Sequence, residues 1–105
     1  MYQQLCSKTG LTNGGVAYSD PIQLGDYNTV QIEMTVFTGE VRVTLQEAND
    51  FQDWTVKDTF VAVMGPAYKL LTAKTITSRQ VRVMWEESTG SGTSVVSGGI
   101  NCSKQ

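Results

Sequence analysis

Histidine is missing from all 105 residues. Imidazole is the usual general base, proton shuttle and metal ligand near neutral pH, so its absence removes the common starting point for hydrolytic, acyl-transfer and zinc chemistry. The serines, threonines and cysteines have no such base to activate them as nucleophiles, and no catalysis is expected. Charge is scarce too: 8 Lys/Arg stand against 10 Asp/Glu, a net charge of −2, with charged residues at 17% of the chain. The cations are scattered rather than clustered, so nothing here would release counterions from a phosphate backbone, and nucleic acid is not an expected partner. No apolar run approaches the ~20 residues of a membrane helix, so a membrane is not expected either. The N-terminus "MYQQLCSKTG" lacks a basic stretch followed by an apolar one, which predicts no secretory signal and a soluble chain made in the cytosol.

Sulfur is nearly as sparse. Cys6 and Cys102 are the two cysteines, too few for a zinc site on their own. If the termini are adjacent, a bond between them would close almost the whole chain, worth ~4–5 kcal/mol in the loop-entropy treatment. In a reducing cytosol the alternative is two free thiols. No cofactor is implied by any of these residues. "GSGTSV" has two glycines of a phosphate loop but neither its lysine nor a following helix.

What the chain does have is period-two alternation, the signature of half-buried strands. Over Thr29–Thr38, Val30, Ile32, Met34 and Val36 share one face while Gln31, Glu33 and Thr35 share the other. "GEVRVTLQE" turns Val41, Val43 and Leu45 inward and Arg42, Thr44 and Gln46 outward. Gly39-Glu40 is all that separates these runs, which predicts a tight hairpin between them. "RQVRVMWEE" repeats the pattern, with Val81, Val83 and Trp85 in, Arg82 and Met84 out. Shorter candidates lie at 16–19, 21–24, 54–56, 59–64, 69–75 and 93–100, and no stretch carries a convincing helical period. Eight or nine short strands in a chain of this length predict one all-β domain over residues 1–105, an antiparallel two-sheet sandwich of jelly-roll type. Residues 1–10 and 102–105 read as short terminal arms.

One segment stands apart, Asn49-Asp50-Phe51-Gln52-Asp53-Trp54. Its oxygens could serve Ca²⁺, but the D-x-D-x-D-G spacing of a calcium loop is missing and Phe51 sits where glycine would ease a turn. The plainer reading is that Asn49 and Asp50 bond their own backbone to turn a corner. Trp54 then either plugs the sandwich between its sheets or, if exposed, stacks on a ligand beside Asn49, Asp50 and Asp53. Phe37 falls on the polar face of its strand and, with Tyr2, is a candidate for contact with another molecule, since aromatics are enriched at interfaces.

The order "GDYNTVQIEMTVFTGEVRVTLQEANDFQDWT", a later "RQVRVMWEE" and a closing "SVVSGGIN" resemble the small jelly-roll proteins encoded among tailed-phage and prophage virion genes. Tyr27, Thr29 and Val30 match that group's strand entry, and Asn49, Asp50 and Trp54 match its second motif, with Ala48 and Phe51 in place of its Ser and Gly. The likeness covers roughly residues 16–101. It implies a sandwich and a virion structural role, such as capsid decoration, a head fibre or a tail accessory. It also implies self-assembly into homo-oligomers and contact with other virion proteins. The Asp-Gly-x-x-Trp corner is shared with carbohydrate-binding sandwich modules, so a glycan bound at Trp54 is the second expectation.

Overall fold

The computed structural model describes all residues, Met1–Gln105. There are no helices and eleven strands: β1 (Tyr2–Thr12), β2 (Val16–Tyr18), β3 (Ile22–Gln23), β4 (Thr29–Thr38), β5 (Glu40–Ala48), β6 (Thr55–Thr59), β7 (Val63–Met64), β8 (Ala67–Leu70), β9 (Lys74–Thr75), β10 (Gln80–Glu87) and β11 (Thr93–Ser103). The first sheet runs β1-β11-β4-β8 with β9 also on β4; the second runs β2-β10-β5-β6 with β3 on β10 and β7 on β5.

The higher strand count comes from interruptions. Pro21 breaks one strand into β2 and β3, and both halves pair with the same side of β10. Ser19 bridges the gap, accepting from the Val83 N–H at 2.9 Å through Oγ while its own N–H reaches the Val83 carbonyl at 2.8 Å. Similarly β8 and β9 are two parts of one course along β4, joined by Leu71 N–H to Ile32 O at 2.8 Å. With these rejoined, the pairs nest: β1 with β11, β2/β3 with β10, β4 with β8/β9, and β5 with β6, all antiparallel. Four nested pairs rolled into two facing sheets make a jelly roll. The short β7 is an addition beside the start of β5.

The core is what the alternation predicted. Val30, Ile32, Met34 and Val36 of β4 face Val41, Val43 and Leu45 of β5 and Val81, Val83 and Trp85 of β10 in one buried cluster. Trp85 fits because Gly98 lies opposite it: a Cβ there would collide with the indole.

The predicted hairpin at Gly39-Glu40 is not formed. β4 belongs to the first sheet and β5 to the second, so the chain arches across the core between them. Both strands carry a full apolar face, and the arch lets both faces point into one interior. Gly39 permits the crossing with φ +79° and by lacking a side chain that would strike the Thr93 carbonyl and Ser94.

The predicted N-terminal arm is also corrected. Residues 2–12 are β1, the edge strand of the first sheet, paired with β11 from Tyr2↔Asn101 to Thr12↔Thr93. The C-terminal arm is shorter than expected, because β11 continues to Ser103. Cys6 and Cys102 are free thiols. Cys6 pairs with Gly98, and Cys102 lies four positions further along β11, ~13 Å away at strand rise, whereas a disulfide needs Cα atoms within about 7 Å.

Candidate functional site

The loop between β5 and β6 holds Asn49, Asp50, Asp53 and Trp54 together, as the sequence placed them. Its chemistry is that of a turn. Asp50 Oδ1 accepts from the Gln52 N–H at 3.0 Å and the Asp53 N–H at 2.8 Å; these bonds favour the ionised form and lower its pKa. Asp53 shifts the other way, raised by its hydrogen bond to the Asp50 carboxylate. Asn49 Oδ1 accepts from the Arg79 N–H at 2.9 Å and ties the loop to the start of β10. Phe51 takes φ +63°, the left-handed turn position that glycine would fill without strain.

Trp54 does not plug the sandwich. It is half-buried on the outer face of the second sheet, with its indole N–H donating to the Phe51 carbonyl at 3.2 Å. The core position that a tryptophan fills belongs to Trp85 alone. Trp54 instead stacks on Arg82, whose guanidinium carbon lies 4.6 Å from the indole centroid and 4.3 Å from the Tyr18 ring on its other side. Arg82 Nε donates to Gln46 Oε1 at 2.6 Å, across the β10–β5 register. The result is a ladder, Tyr18–Arg82–Trp54, running from β2 over β10 to the β5–β6 loop on one face.

Each part has a local cause. Arg82 and Gln46 point outward because Val81, Val83 and Leu45 point in. Tyr18 reaches Arg82 from β2, which pairs with β10. The Asp50 turn sets Trp54 beside β5. Neither Nη atom of Arg82 has a hydrogen-bond or ion-pair partner within the chain, whose ion pairs are Arg42–Glu86 and Lys74–Asp58. Its donors are held in a fixed fork with a charge still to be matched, the geometry that recognises a carboxylate bidentately.

The other two sequence candidates lie on the first sheet, apart from this ladder. Phe37 sits near the arch, half-exposed, with the Lys8 ammonium 5.8 Å from its ring. Tyr2 stands on the outer face above Gly99. The register Tyr2↔Asn101↔Gln31 puts Phe37 six positions along β4 from the Tyr2 row, ~20 Å away. Sequence reading missed Tyr18, Gln46 and Arg82 as site residues. The outward phase of Arg82 and Gln46 was legible, but their meeting depends on a cross-strand register that alternation does not supply.

No protein-family model matches the chain, and no curated protein matches it in sequence. Among solved structures, the fold is that of the crystal structure of PBSX exported protein XepA, with a TM-score of 0.83 at 13% identity over 100% of this chain and 37% of that one. The crystal structure of PirA follows with a TM-score of 0.59 at 17% identity, over 96% of this chain and 92% of that one. At these identities the likeness is one of fold. The class so defined is a single-domain, all-antiparallel jelly-roll sandwich, spanning little more than a third of XepA's length.

Proposed function

We propose that this chain is a non-enzymatic accessory protein of a phage particle, of capsid-decoration or similar type, acting by contact with its own copies and with other virion proteins. The observation that carries this reading is the Tyr18–Arg82–Trp54 ladder. Tyrosine, tryptophan and arginine are the residues most enriched among those that dominate protein interfaces. Here they form one preorganised patch, so little side-chain freedom is left to lose on docking. Val16, half-exposed on the same β2 as Tyr18, extends the patch with apolar surface. Support from the fold is of a coarser kind: a phage-related exported protein, XepA, contains the same sandwich.

A carbohydrate module centred on Trp54 is less well served. Asp50 Oδ1 and Asn49 Oδ1 are already engaged inside the loop, and one face of the indole lies on Arg82.

The test is solution mass by sedimentation, with and without purified phage particles, for the wild type, Arg82→Ala and Trp54→Ala. Self-association or co-sedimentation is expected, weakened ~30-fold by either substitution if each side chain contributes about 2 kcal/mol. A wild type that stays monomeric at all concentrations and never sediments with particles would sink the proposal.

A further inference from the structure

The outer face of the first sheet, on the far side of the sandwich from Arg82, carries a second constructed feature. Glu33 of β4 stands between Tyr2 of β1 and Tyr68 of β8, both rings more than half exposed. The Tyr68 hydroxyl donates to Glu33 Oε2 at 2.8 Å. Tyr2 lines a cleft beside this carboxylate, and Glu33 is the chief cause of the raised pKa of both phenols. The cleft lies between them, about 120 Å³ in volume, and is lined also by Gln4, Thr35 and Ser97.

The register explains why the cleft exists. Gln4, Gly99, Glu33 and Leu70 form one row across four strands. Gly99 occupies the row's second place, and a Cβ on it would collide with the Tyr2 phenol. Without that missing side chain, Tyr2 could not lie over β11 toward Glu33. Its neighbour Gly98 serves the other side of the same strand, where Trp85 packs. The paired glycines thus seat one aromatic residue on each face of β11.

We propose that this cleft is a binding site for a single neutral sugar ring. Two exposed tyrosine rings offer apolar surface to the C–H faces of such a ring. Glu33 Oε1 and the Thr35 hydroxyl have no partner within the chain; the Ser97 hydroxyl, which accepts from the Lys8 N–H at 2.7 Å, can still donate, and the Gln4 amide, whose Nε2 reaches the Cys6 carbonyl at 3.5 Å, can still accept through its oxygen. No lysine or arginine lines the cleft, so a phosphate or an acidic sugar would meet Glu33 without compensation. A quaternary ammonium could use the carboxylate and the rings, but it has no hydrogen bonds to give Gln4, Thr35 or Ser97. At about 120 Å³ the cleft falls below the roughly 300 Å³ of an enclosing ligand pocket, so it is a shallow seat for one face of a ring and leaves the rest in solvent.

The experiment is an NMR titration of the ¹⁵N-labelled full chain with neutral hexoses and N-acetylhexosamines, and separately with tetramethylammonium. Saturable shifts at Glu33, Thr35, Ser97, Gly98 and Gly99 are expected with at least one sugar. Glu33→Gln and Tyr68→Ala should each weaken binding at least tenfold, with Tyr68→Phe falling between Tyr68→Ala and the wild type. Arg82→Ala should leave it unchanged, so this result is independent of the association test. Matching thermal melts establish that the variants are folded. The proposal is overturned if no sugar shifts these amides, if the two weakening variants bind as the wild type does, or if tetramethylammonium alone saturates the cleft.

Discussion

Glu87 is the residue on which the fold is most exposed to acid. Its carboxylate is buried at the end of β10, where Oε1 accepts from the N–H groups of Gly14 at 3.0 Å, Gly90 at 2.9 Å and Gly92 at 3.3 Å, and Oε2 from Thr89. One side chain thereby pins the β1–β2 turn to the β10–β11 turn. The donors, led by the Thr89 hydroxyl, depress its pKa from 4.5 to about 2. A folded-state pKa below the unfolded one means the stabilisation is fully present above the unfolded value and disappears as pH falls through the folded value. Melting temperature should therefore drop as pH falls from about 4.5 to about 2. Glu87→Gln should be less stable at pH 7 and lose much of that dependence; a variant with the wild-type acid profile would contradict this. Phe51 offers the opposite opportunity. Held half-exposed at φ +63°, it carries roughly 1–2 kcal/mol of left-handed strain, against a glycine entropy cost of roughly 0.5–1 kcal/mol. Phe51→Gly should gain about 0.5 kcal/mol in urea titration, and a clear loss would show that the ring packs usefully.

Among the elements, legibility followed regularity. β4, β5 and β10 were plain because each alternates through its central residues, 30–36, 41–45 and 81–85, whose apolar side chains fill the core; the slip in β4 comes only near its end, at Phe37. β1 was invisible for the converse reason. Its register with β11 shifts between Gln4 and Cys6 and again between Cys6 and Thr9, with Lys8 at φ +47°. Each slip moves the inward phase to the other parity, so "YQQLCSKTGLT" shows no period of two. The Lys8 N–H, displaced from the ladder, is met by Ser97 Oγ at 2.7 Å, which makes the bulge a built feature. The arch at Gly39 could not be told from a hairpin for a related reason: both need glycine between two alternating runs, and the choice is made by which partners the strands find elsewhere. Since β1 is a strand, deleting residues 1–12 should be costly. It uncovers the edge of β11 and removes Leu11 from the core, ~2 kcal/mol for that side chain alone. A truncated chain should aggregate or unfold at markedly lower urea. One that melts like the wild type would restore the picture of a dispensable arm.

At the scale of the whole molecule, the two sheets present different chemistry to solvent. One face offers an unmatched guanidinium between aromatic rings, the other a carboxylate between two tyrosines. Little of this could be read in advance. The loop at 49–54 was visible as a feature, but the ladder joins it to β2 and β10, the cleft draws on four strands distant in sequence, and only the nested pairing brings those together. The sheets of a sandwich pack ~10 Å apart, and Arg82 and Tyr68 share no partner. Substitutions separated this way add to within ~0.3–0.5 kcal/mol. The double variant Arg82→Ala/Tyr68→Ala should accordingly lose stability by the sum of the single losses. Its behaviour should combine the two singles as well, with association weakened as in Arg82→Ala and sugar binding weakened as in Tyr68→Ala. If instead the sugar disperses oligomers of the wild type, or Tyr68→Ala alone abolishes association, the faces meet each other in the assembly. The Glu33 cleft would then be the seat of a neighbouring copy's arginine, and a double-mutant cycle between Glu33 and Arg82 measured on association would show a coupling energy where independent faces give none.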